Sequence, residues 1–162
     1  MTKIENGILA LLKEDARLSH SNIATMLGVD EKTVDESIDK LEKKGVIVKY
    51  TTLINDEKAD REIVEALIEV KVSPTCKSGF DAIAEEISMH EEVKNVYLMS
   101  GAYDLTVIIE GKTLKEVALF VSEKLSGIDK VLSTATHFIL KKYKVSGVAM
   151  GDSNVNRQLV HA

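Results

Sequence analysis

The stretch Ser19–Leu53, SHSNIATMLGVDEKTVDESIDKLEKKGVIVKYTTL, decides the fold of the N-terminal part of the chain. Its apolar residues recur at helical spacing on both sides of Gly28, and glycine is the residue that most readily ends a helix in the left-handed conformation. Ser19 and Asp30 each precede one of these patterns as N-cap residues, so the stretch predicts two helices joined by a tight turn. The β-branched run Val46–Leu53 that follows predicts the strands of a wing.

A further helix is predicted upstream, over Lys3–Glu14, from the apolar side chains Ile4, Ile8, Leu11 and Leu12. Three helices and a wing form a winged helix-turn-helix, a module that places its last helix in the major groove of DNA. We assign this domain to residues 1–54. Residues 55–62, which include the polar run NDEKADR, are the predicted linker to a second domain.

Residues 63–145 predict four strands and two helices in the order β-α-β-β-α-β, which is the ferredoxin-like arrangement. A turn at Pro74 and Gly79 precedes the first helix, and Thr113 with Glu116 predicts a capping box at the start of the second. The fold class is therefore α+β. The predicted strands are Ile63–Val72, Val93–Met99, Leu105–Ile109 and Val131–Tyr143, and the predicted inward helix faces are Phe80, Ile83, Ala84 and Ile87, then Leu114, Val117, Phe120, Val121 and Leu125.

Both helices are expected on one face of this antiparallel sheet, which leaves the other face in need of a cover. The strands are apolar on both sides around Val107–Ile109, so we expect a second copy of the chain to pack there. The tail, residues 146–162, is small and polar, and it predicts either a mobile segment or a strand donated to a partner.

Composition excludes several classes of protein. The 162 residues are 44% hydrophobic and 29% charged, as in a folded soluble domain, with no apolar run of membrane-spanning length. The N-terminus does not have the layout of a signal peptide, so we expect a cytoplasmic protein. Cys76 is the only cysteine and the four histidines are scattered, so we expect no disulfide and no metal site. No nucleophile elbow, phosphate loop or dinucleotide fingerprint is present, and we expect no enzyme activity.

The charge balance limits how this chain can bind nucleic acid. The formal net charge is −5, and residues 1–58 contain nine Lys or Arg against eleven Asp or Glu. Phosphate contacts require cations, so DNA affinity must come from local patches of lysine and from several copies acting together.

Several motifs, taken in order, resemble those of the Lrp/AsnC family of transcriptional regulators. Residues 15–19 (DARLS) are similar to the joint before the family's second helix, and residues 40–47 (KLEKKGVI) to the end of its third. Residues 100–104 (SGAYD) resemble the family's G-x-(Y/F)-D loop, and residues 134–136 (TAT) its T-x-T motif. The resemblance spans about residues 3–145 and implies a RAM-type second domain.

The resemblance also implies partners. Such proteins pair as homodimers through their second domains, and four dimers often form a ring. It implies a small effector, an amino acid or a relative of one, bound where dimers meet near the G-x-Y-D loop. No other cofactor is expected. By this resemblance the effector-binding residues are Ser100, Gly101, Ala102, Tyr103, Asp104, Thr134 and Thr136.

Each of these effector residues could also have a purely structural role. Residues 100–104 also suit a hairpin turn that needs a positive φ, although the N–H groups exposed by such a turn can themselves bind a carboxylate. Asp104 could pair with an effector ammonium or cap the turn. Thr134 and Thr136 supply hydroxyls, or are simply favourable strand residues.

The polar face of the third helix supplies the DNA-binding candidates. Five of them would face base edges and phosphates, and the alternative is a solvated face of i,i+4 ion pairs. Three lysines at the helix end and in the wing are phosphate candidates, although two of them, Lys43 and Lys44, could equally serve only to complement the helix dipole. The base-facing set is Lys32, Thr33, Glu36, Ser37 and Lys40, and the phosphate set is Lys43, Lys44 and Lys49.

Two functions remain open at this point. The favoured one is an oligomeric, sequence-specific regulator that binds double-stranded DNA and responds to an amino-acid-like effector. The alternative is a ligand-binding scaffold whose DNA-binding helix is weak or lost, because Asp35, Glu36 and Asp39 would repel phosphates. Salt dependence separates the two, since a working DNA-binding helix loses affinity steeply as salt rises.

Overall fold

The computed structural model describes residues 1–73 and 79–151 of the chain. They form two compact units, the first running from Met1 to Ile54 and the second beginning at Asn55. Among the described residues, no helix has both the length and the apolar character needed to cross a bilayer.

The first unit contains three helices, α1 (Lys3–Glu14), α2 (His20–Leu27) and α3 (Glu31–Lys43). All three confirm the helices expected from periodicity. Thr2 and Glu5 form a capping box at the start of α1 that periodicity did not indicate. The helices pack around a small apolar core of Ile8, Ile23, Ala24, Val34 and Ile38.

The wing strands predicted over Val46–Leu53 are wrong, because the structure has no strand in this segment. Gly45 turns the chain with a φ of 66°, and the N–H groups of Val46 and Ile47 then donate to the Leu41 carbonyl, at 2.9 and 3.3 Å. The side chain of Val48 is 88% exposed. A β-prone run forms a strand only when a partner strand takes up its hydrogen bonds, and this segment has no partner in the described part of the chain.

The second unit is built on a four-stranded antiparallel sheet with the order β2-β3-β1-β4, from strands β1 (Val64–Val72), β2 (Val93–Leu98), β3 (Leu105–Gly111) and β4 (Val131–Phe138). This order confirms the ferredoxin-like arrangement. The central residue Ile68 lies opposite Val107 on one side and Thr136 on the other.

Two helical segments cover one face of the sheet. They are α4 (Gly79–Ser88) and α5 (Leu114–Leu119), and α5 continues as a π-helix over Phe120–Leu125. The side chains that face them from β1 and β3 are Ala66, Ile68, Val70, Val72, Leu105, Val107 and Ile109, all buried as the alternation predicts. On the opposite face, Leu67 and Ile108 are only half-buried in a single chain.

The start of α5 differs from the expectation in two respects. Leu114 was expected inward but is 59% exposed, because it lies in the first turn, just beyond the end of β3 at Gly111. The Glu116 carboxylate accepts a hydrogen bond of 2.7 Å from the N–H of Lys112. In a capping box it would accept from the N–H of Thr113, one residue later. Thr113 caps the helix as predicted, its hydroxyl accepting from the Glu116 N–H at 3.1 Å.

The last strand was expected to reach Tyr143 but β4 ends at Phe138. The last bond to the partner strand β1 is from the Ile139 N–H to the Glu65 carbonyl. Because β1 begins at Val64, residues after Ile139 have no part of β1 to pair with. A short hairpin of β5 (Lys144–Val145) and β6 (Val148–Ala149) follows. Ser146 and Gly147 have positive φ values of 48° and 86°, as a tight hairpin turn requires.

Part of the predicted tail is thus ordered as a hairpin, and the rest, from residue 152 onward, lies outside the described residues. The predicted turn at Pro74 and the single cysteine, Cys76, also lie outside them. At the other end of the unit, the side-chain amide of Asn55 donates to the Met150 carbonyl at 2.6 Å.

Candidate nucleic-acid interface and effector site

The turn between α2 and α3 is fixed by local hydrogen bonds. Ser19 caps α2 by accepting from the Asn22 N–H, and Asp30 caps α3 by accepting from the Thr33 N–H at 2.9 Å. Gly28 has a φ of 66° and directs its N–H back to the last turn of α2. The Thr33 hydrogen bonds, first from its side chain and then from its backbone, hold the pKa of Asp30 below its usual value.

α3 divides into flanks of different chemistry. Its buried stripe is Val34, Ile38 and Leu41. Residues three or four apart share a flank of a helix, so the sequence sorts the remaining side chains on each side of that stripe. One flank carries the acidic residues Glu31, Asp35, Asp39 and Glu42, and the other carries Thr33, Ser37, Lys40 and Lys44.

Five predicted DNA-binding residues make weak or local contacts. Lys32 lies 3.8 Å from Glu36, and Lys43 lies 3.8 Å from Asp39, both as exposed i,i+4 pairs. Such exposed pairs add little stability, so both lysines are available to another anion. The hydroxyls of Thr33 and Ser37 donate to groups of the helix itself, the Asp30 carboxylate and the Thr33 carbonyl.

The other three predicted lysines fall into two groups. Lys40 directs its ammonium to the buried carboxylate of Glu5, with Nζ 2.6 Å from Oε1. Lys44 and Lys49 are exposed, and neither side-chain ammonium has a hydrogen bond or ion pair with any residue that the structure describes. The structure therefore places Lys32, Lys43 and Lys44 on or at the end of one helix, with Lys49 in the extended segment beyond it.

Sequence reasoning missed two contacts that shape this surface. His20, the first residue of α2, pairs through Nδ1 with Asp35 of α3 and so joins the two helices. The Tyr50 hydroxyl donates to Glu42 at 2.9 Å, and burial followed by this bond raises the pKa of Tyr50. Both contacts draw acidic side chains of α3 into pairs within the unit. Neither partner belongs to a periodic pattern, so no sequence signal indicated them.

The predicted effector loop is tied to the sheet by Asp104. The Val72 N–H donates to Asp104 Oδ2 at 2.9 Å, and the Asp104 N–H donates to the Val70 carbonyl at 3.1 Å. Lys71 reaches the Ala102 carbonyl at 3.3 Å. Ser100, Gly101 and Ala102 are exposed and Tyr103 is half-buried. Asp104 therefore holds the loop in place with one carboxylate oxygen, and the other accepts no hydrogen bond from the residues that the structure describes.

Thr134 and Thr136 lie on β4, on the sheet face that also carries the helices. Thr134 is opposite Val70, the same β1 residue that binds the Asp104 N–H. One strand thus separates Thr134 from the loop, and Thr136 lies two residues farther along β4. Within one chain the predicted effector residues share a region of the sheet without converging on one point.

A cleft lies elsewhere in the second unit. Its volume is about 500 Å³, and it lies between the ends of β2 and β3 and the α5–π-helix segment. In it Lys124 pairs with Glu92, and this hydrogen bond holds the pKa of Glu92 below its usual value. None of the predicted effector residues lines the cleft, whose walls include Ile63, Glu91, Lys94, Ile109, Lys112, Phe120 and Glu123.

Comparison with known proteins agrees with this architecture. A sequence model described as winged helix-turn-helix DNA-binding matches residues 1–48, and one described as the Lrp/AsnC ligand binding domain matches residues 65–149. The chain is a helix-turn-helix transcriptional regulator with a ligand-binding second domain, and it is not an enzyme. It belongs to the Lrp/AsnC family.

Relatives match nearly the whole chain. It is 47% identical to the HTH-type transcriptional regulator YugG of Bacillus subtilis over 161 residues, which cover 99% of this chain and 97% of YugG. The crystal structure of PH0061 has a TM-score of 0.77 at 26% identity, covering 90% of this chain and 96% of that one. The L-Met complex of the transcriptional regulator NMB0573 of Neisseria meningitidis shares the fold, with a TM-score of 0.71 at 21% identity over 90% of this chain and 93% of that one.

Proposed function

We propose that residues 1–54 bind operator DNA in the cytoplasm through α3, and that residues 63–145 bind the effector and pair with a second copy, with residues 55–62 as the linker. The observation that carries the DNA part is the division of α3 into an acidic flank and a flank of hydroxyls and lysines. Two of the acids on the first flank, Asp35 and Glu42, already have partners within the unit. The helix can therefore approach DNA despite the net charge.

The candidate residues have different roles in this proposal. Lys32, Thr33, Glu36 and Ser37 lie in the first half of α3, where side chains of a recognition helix meet base edges, and Glu36 can accept from a cytosine amino group. Lys43, Lys44 and Lys49 contact phosphates, which sets register without reading sequence. Two copies in a dimer double these contacts, and two-fold symmetry favours an operator of two inverted half-sites.

The effector is an amino acid or a close relative in our proposal. The L-Met bound to NMB0573, which has the same fold, supports this class of ligand. Amino acids carry one carboxylate and one ammonium. The exposed residues Gly101 and Ala102 would offer their backbone N–H groups to the carboxylate, and the Asp104 oxygen that accepts no hydrogen bond from the described residues suits the ammonium.

A second copy would complete this site. Thr134 and Thr136 lie on the helix-bearing face of the sheet, one strand away from the loop of their own chain, so their hydroxyls would serve the loop of a copy in a neighbouring dimer. The open face of the sheet supports pairing of copies, because it holds Leu67 and Ile108 together with a Thr106 hydroxyl that is buried without a hydrogen-bond partner among the described residues. The dimer is the basic assembly, and dimers would associate further, up to an octamer. A ligand that binds one arrangement better than another shifts the spacing of the DNA-binding helices.

A mobility-shift titration on a duplex from the chain's own promoter tests the DNA part. We expect the wild-type chain to prefer this duplex to a scrambled one, and Lys44→Gln to weaken both complexes. Lys115→Gln, which removes an exposed lysine from α5, is the matched control and should bind as wild type. Equal affinity for promoter and scrambled duplexes, with no dependence on salt, would favour the ligand-binding scaffold instead.

Native mass measurement with and without a panel of amino acids tests the effector and the assembly together. We expect an even number of copies, with a bound mass or a change of assembly for at least one amino acid. A single-copy particle that no amino acid changes would contradict this part of the proposal.

A further inference from the structure

The carboxylate of Glu5 lies almost fully buried at the start of α1, with the residue 5% exposed. Oε2 accepts from the Thr2 N–H at 2.7 Å, and Oε1 accepts from the Lys40 ammonium at 2.6 Å. Thirty-five positions separate Glu5 from Lys40, so this contact fastens the first turn of α1 to the second half of α3.

We propose that Glu5 is a positioning residue for the recognition helix, and that Lys40 is its counter-charge rather than a phosphate ligand. The inference rests on the proposed DNA-binding function. It changes the role that the sequence pattern favours for Lys40, and it assigns a role to Glu5, which no sequence pattern singled out.

The charge balance at the pair is the first argument. If Lys40 turned to a phosphate, the Glu5 carboxylate would stay buried without its cation, and an unpaired buried charge is strongly unfavourable. The bond is charge-assisted and short, which makes it among the stronger hydrogen bonds a protein forms. The pKa of Glu5 is lowered, first by the Lys40 bond and then by the Thr2 N–H.

The position of the pair is the second argument. The apolar stripe Val34, Ile38 and Leu41 sets which face α3 turns to the core, and directional bonds on its flanks restrain the remaining rotation about the helix axis. The Glu5–Lys40 bond on one flank and the His20–Asp35 pair on the other hold that rotation from both sides. Rotation of α3 decides which side chains face the bases, so Glu5 acts on sequence preference through Lys40.

Salt dependence separates a counter-charge from a phosphate ligand. The probe is a duplex that the wild-type chain selects from a random pool, with a scrambled duplex beside it, titrated between about 50 and 300 mM salt. Lys44→Met is the matched control, because the Lys44 ammonium has no partner among the described residues. It should reduce the magnitude of the slope of log affinity against log salt concentration by about 0.9 for each phosphate that is no longer neutralised. Lys40→Met should leave the slope unchanged and reduce the preference for the selected duplex about tenfold.

Three further variants complete the test. Glu5→Gln should reproduce the loss of preference at an unchanged slope, and Glu5→Gln with Lys40→Met should be no worse than either alone, because both remove one interaction. Lys40→Arg keeps a cation beside Glu5 and should behave as wild type, even if Lys40→Met folds poorly.

Three results would overturn the inference. They are a slope that falls for Lys40→Met as it does for Lys44→Met, an unchanged preference in both Lys40→Met and Glu5→Gln, or additive losses in the double variant. In each case the wild-type chain still prefers the selected duplex, so the proposed function survives. A wild-type chain that selects no duplex would overturn both.

Discussion

Replacing Asp104 separates the structural role of the loop from its proposed role in effector binding. One carboxylate oxygen accepts from the Val72 N–H at 2.9 Å, and Val72 is 4% exposed, so water cannot replace this bond. Asp104→Ala leaves that N–H unpaired, which costs about 2 kcal/mol of the free energy of unfolding. For a unit of roughly 100 residues this corresponds to a fall in Tm of about 10 °C.

Asp104→Asn keeps an acceptor oxygen for the Val72 N–H but removes the negative charge. We expect its free energy of unfolding to stay within about 0.5 kcal/mol of the wild-type value. Its response to amino acids should disappear, because an amide no longer pairs with the effector ammonium. A ligand at a hundred times its Kd stabilises a protein by about 2.7 kcal/mol, so the wild-type response is readily measured.

The assay is thermal denaturation of the wild type, Asp104→Ala and Asp104→Asn. Each is measured without ligand, with L-methionine, and then with the other amino acids. Asp129→Ala removes an exposed carboxylate elsewhere in the same unit and should match the wild type in both measurements. An Asp104→Ala variant as stable as wild type would refute the structural role. An Asp104→Asn variant that still responds to an amino acid would refute the pairing with the ammonium.

Three further predictions concern stability. Gly28→Ala should lower the free energy of unfolding by about 1 kcal/mol, as measured by chemical denaturation of the first unit. The φ of Gly28 is 66° and the space around it is open, so backbone strain is the only penalty for a Cβ atom. Ile68→Ala removes a fully buried side chain from the central strand and should cost about 3 kcal/mol by the same method. The pKa of Glu92 is lower in the folded chain than in the unfolded chain. Its contribution to the free energy of unfolding is therefore complete above the ordinary pKa of a glutamate and is lost as the pH falls through the pKa of the folded state. Wild-type stability should therefore fall more steeply than that of Glu92→Gln between about pH 5 and 3, and equal slopes would contradict the Lys124 pairing.

Local patterns predicted the elements of this fold well but not their ends. The helices of the first unit and the alternation in β1 follow from residue spacing, because burial of one face is a property of the segment itself. The end of β4 at Phe138 depends on where β1 begins, and the missing wing strands depend on a partner for Val46–Leu53. Both facts involve distant parts of the chain, which periodicity does not describe.

The candidate site divides in the same way. The sequence predicted which helix carries the polar face and which lysines lie on it. It did not predict that Lys40 already holds Glu5, or that His20 holds Asp35, because these partners lie 35 and 15 positions apart and neither pair repeats. Identifying which cations are free for DNA therefore required the tertiary structure.

The pairing of charges on α3 has a consequence for how this regulator searches a chromosome. Lys32, Lys40 and Lys43 each lie beside a carboxylate of their own chain, and the whole molecule carries a formal charge of −5. Glu5 holds Lys40, and the net negative charge of the chain repels phosphates, so nonspecific adsorption should be weak at physiological ionic strength. Few molecules would then be bound at competing nonspecific sites in the genome. Occupancy of the operator would therefore follow the concentration of assembled protein closely.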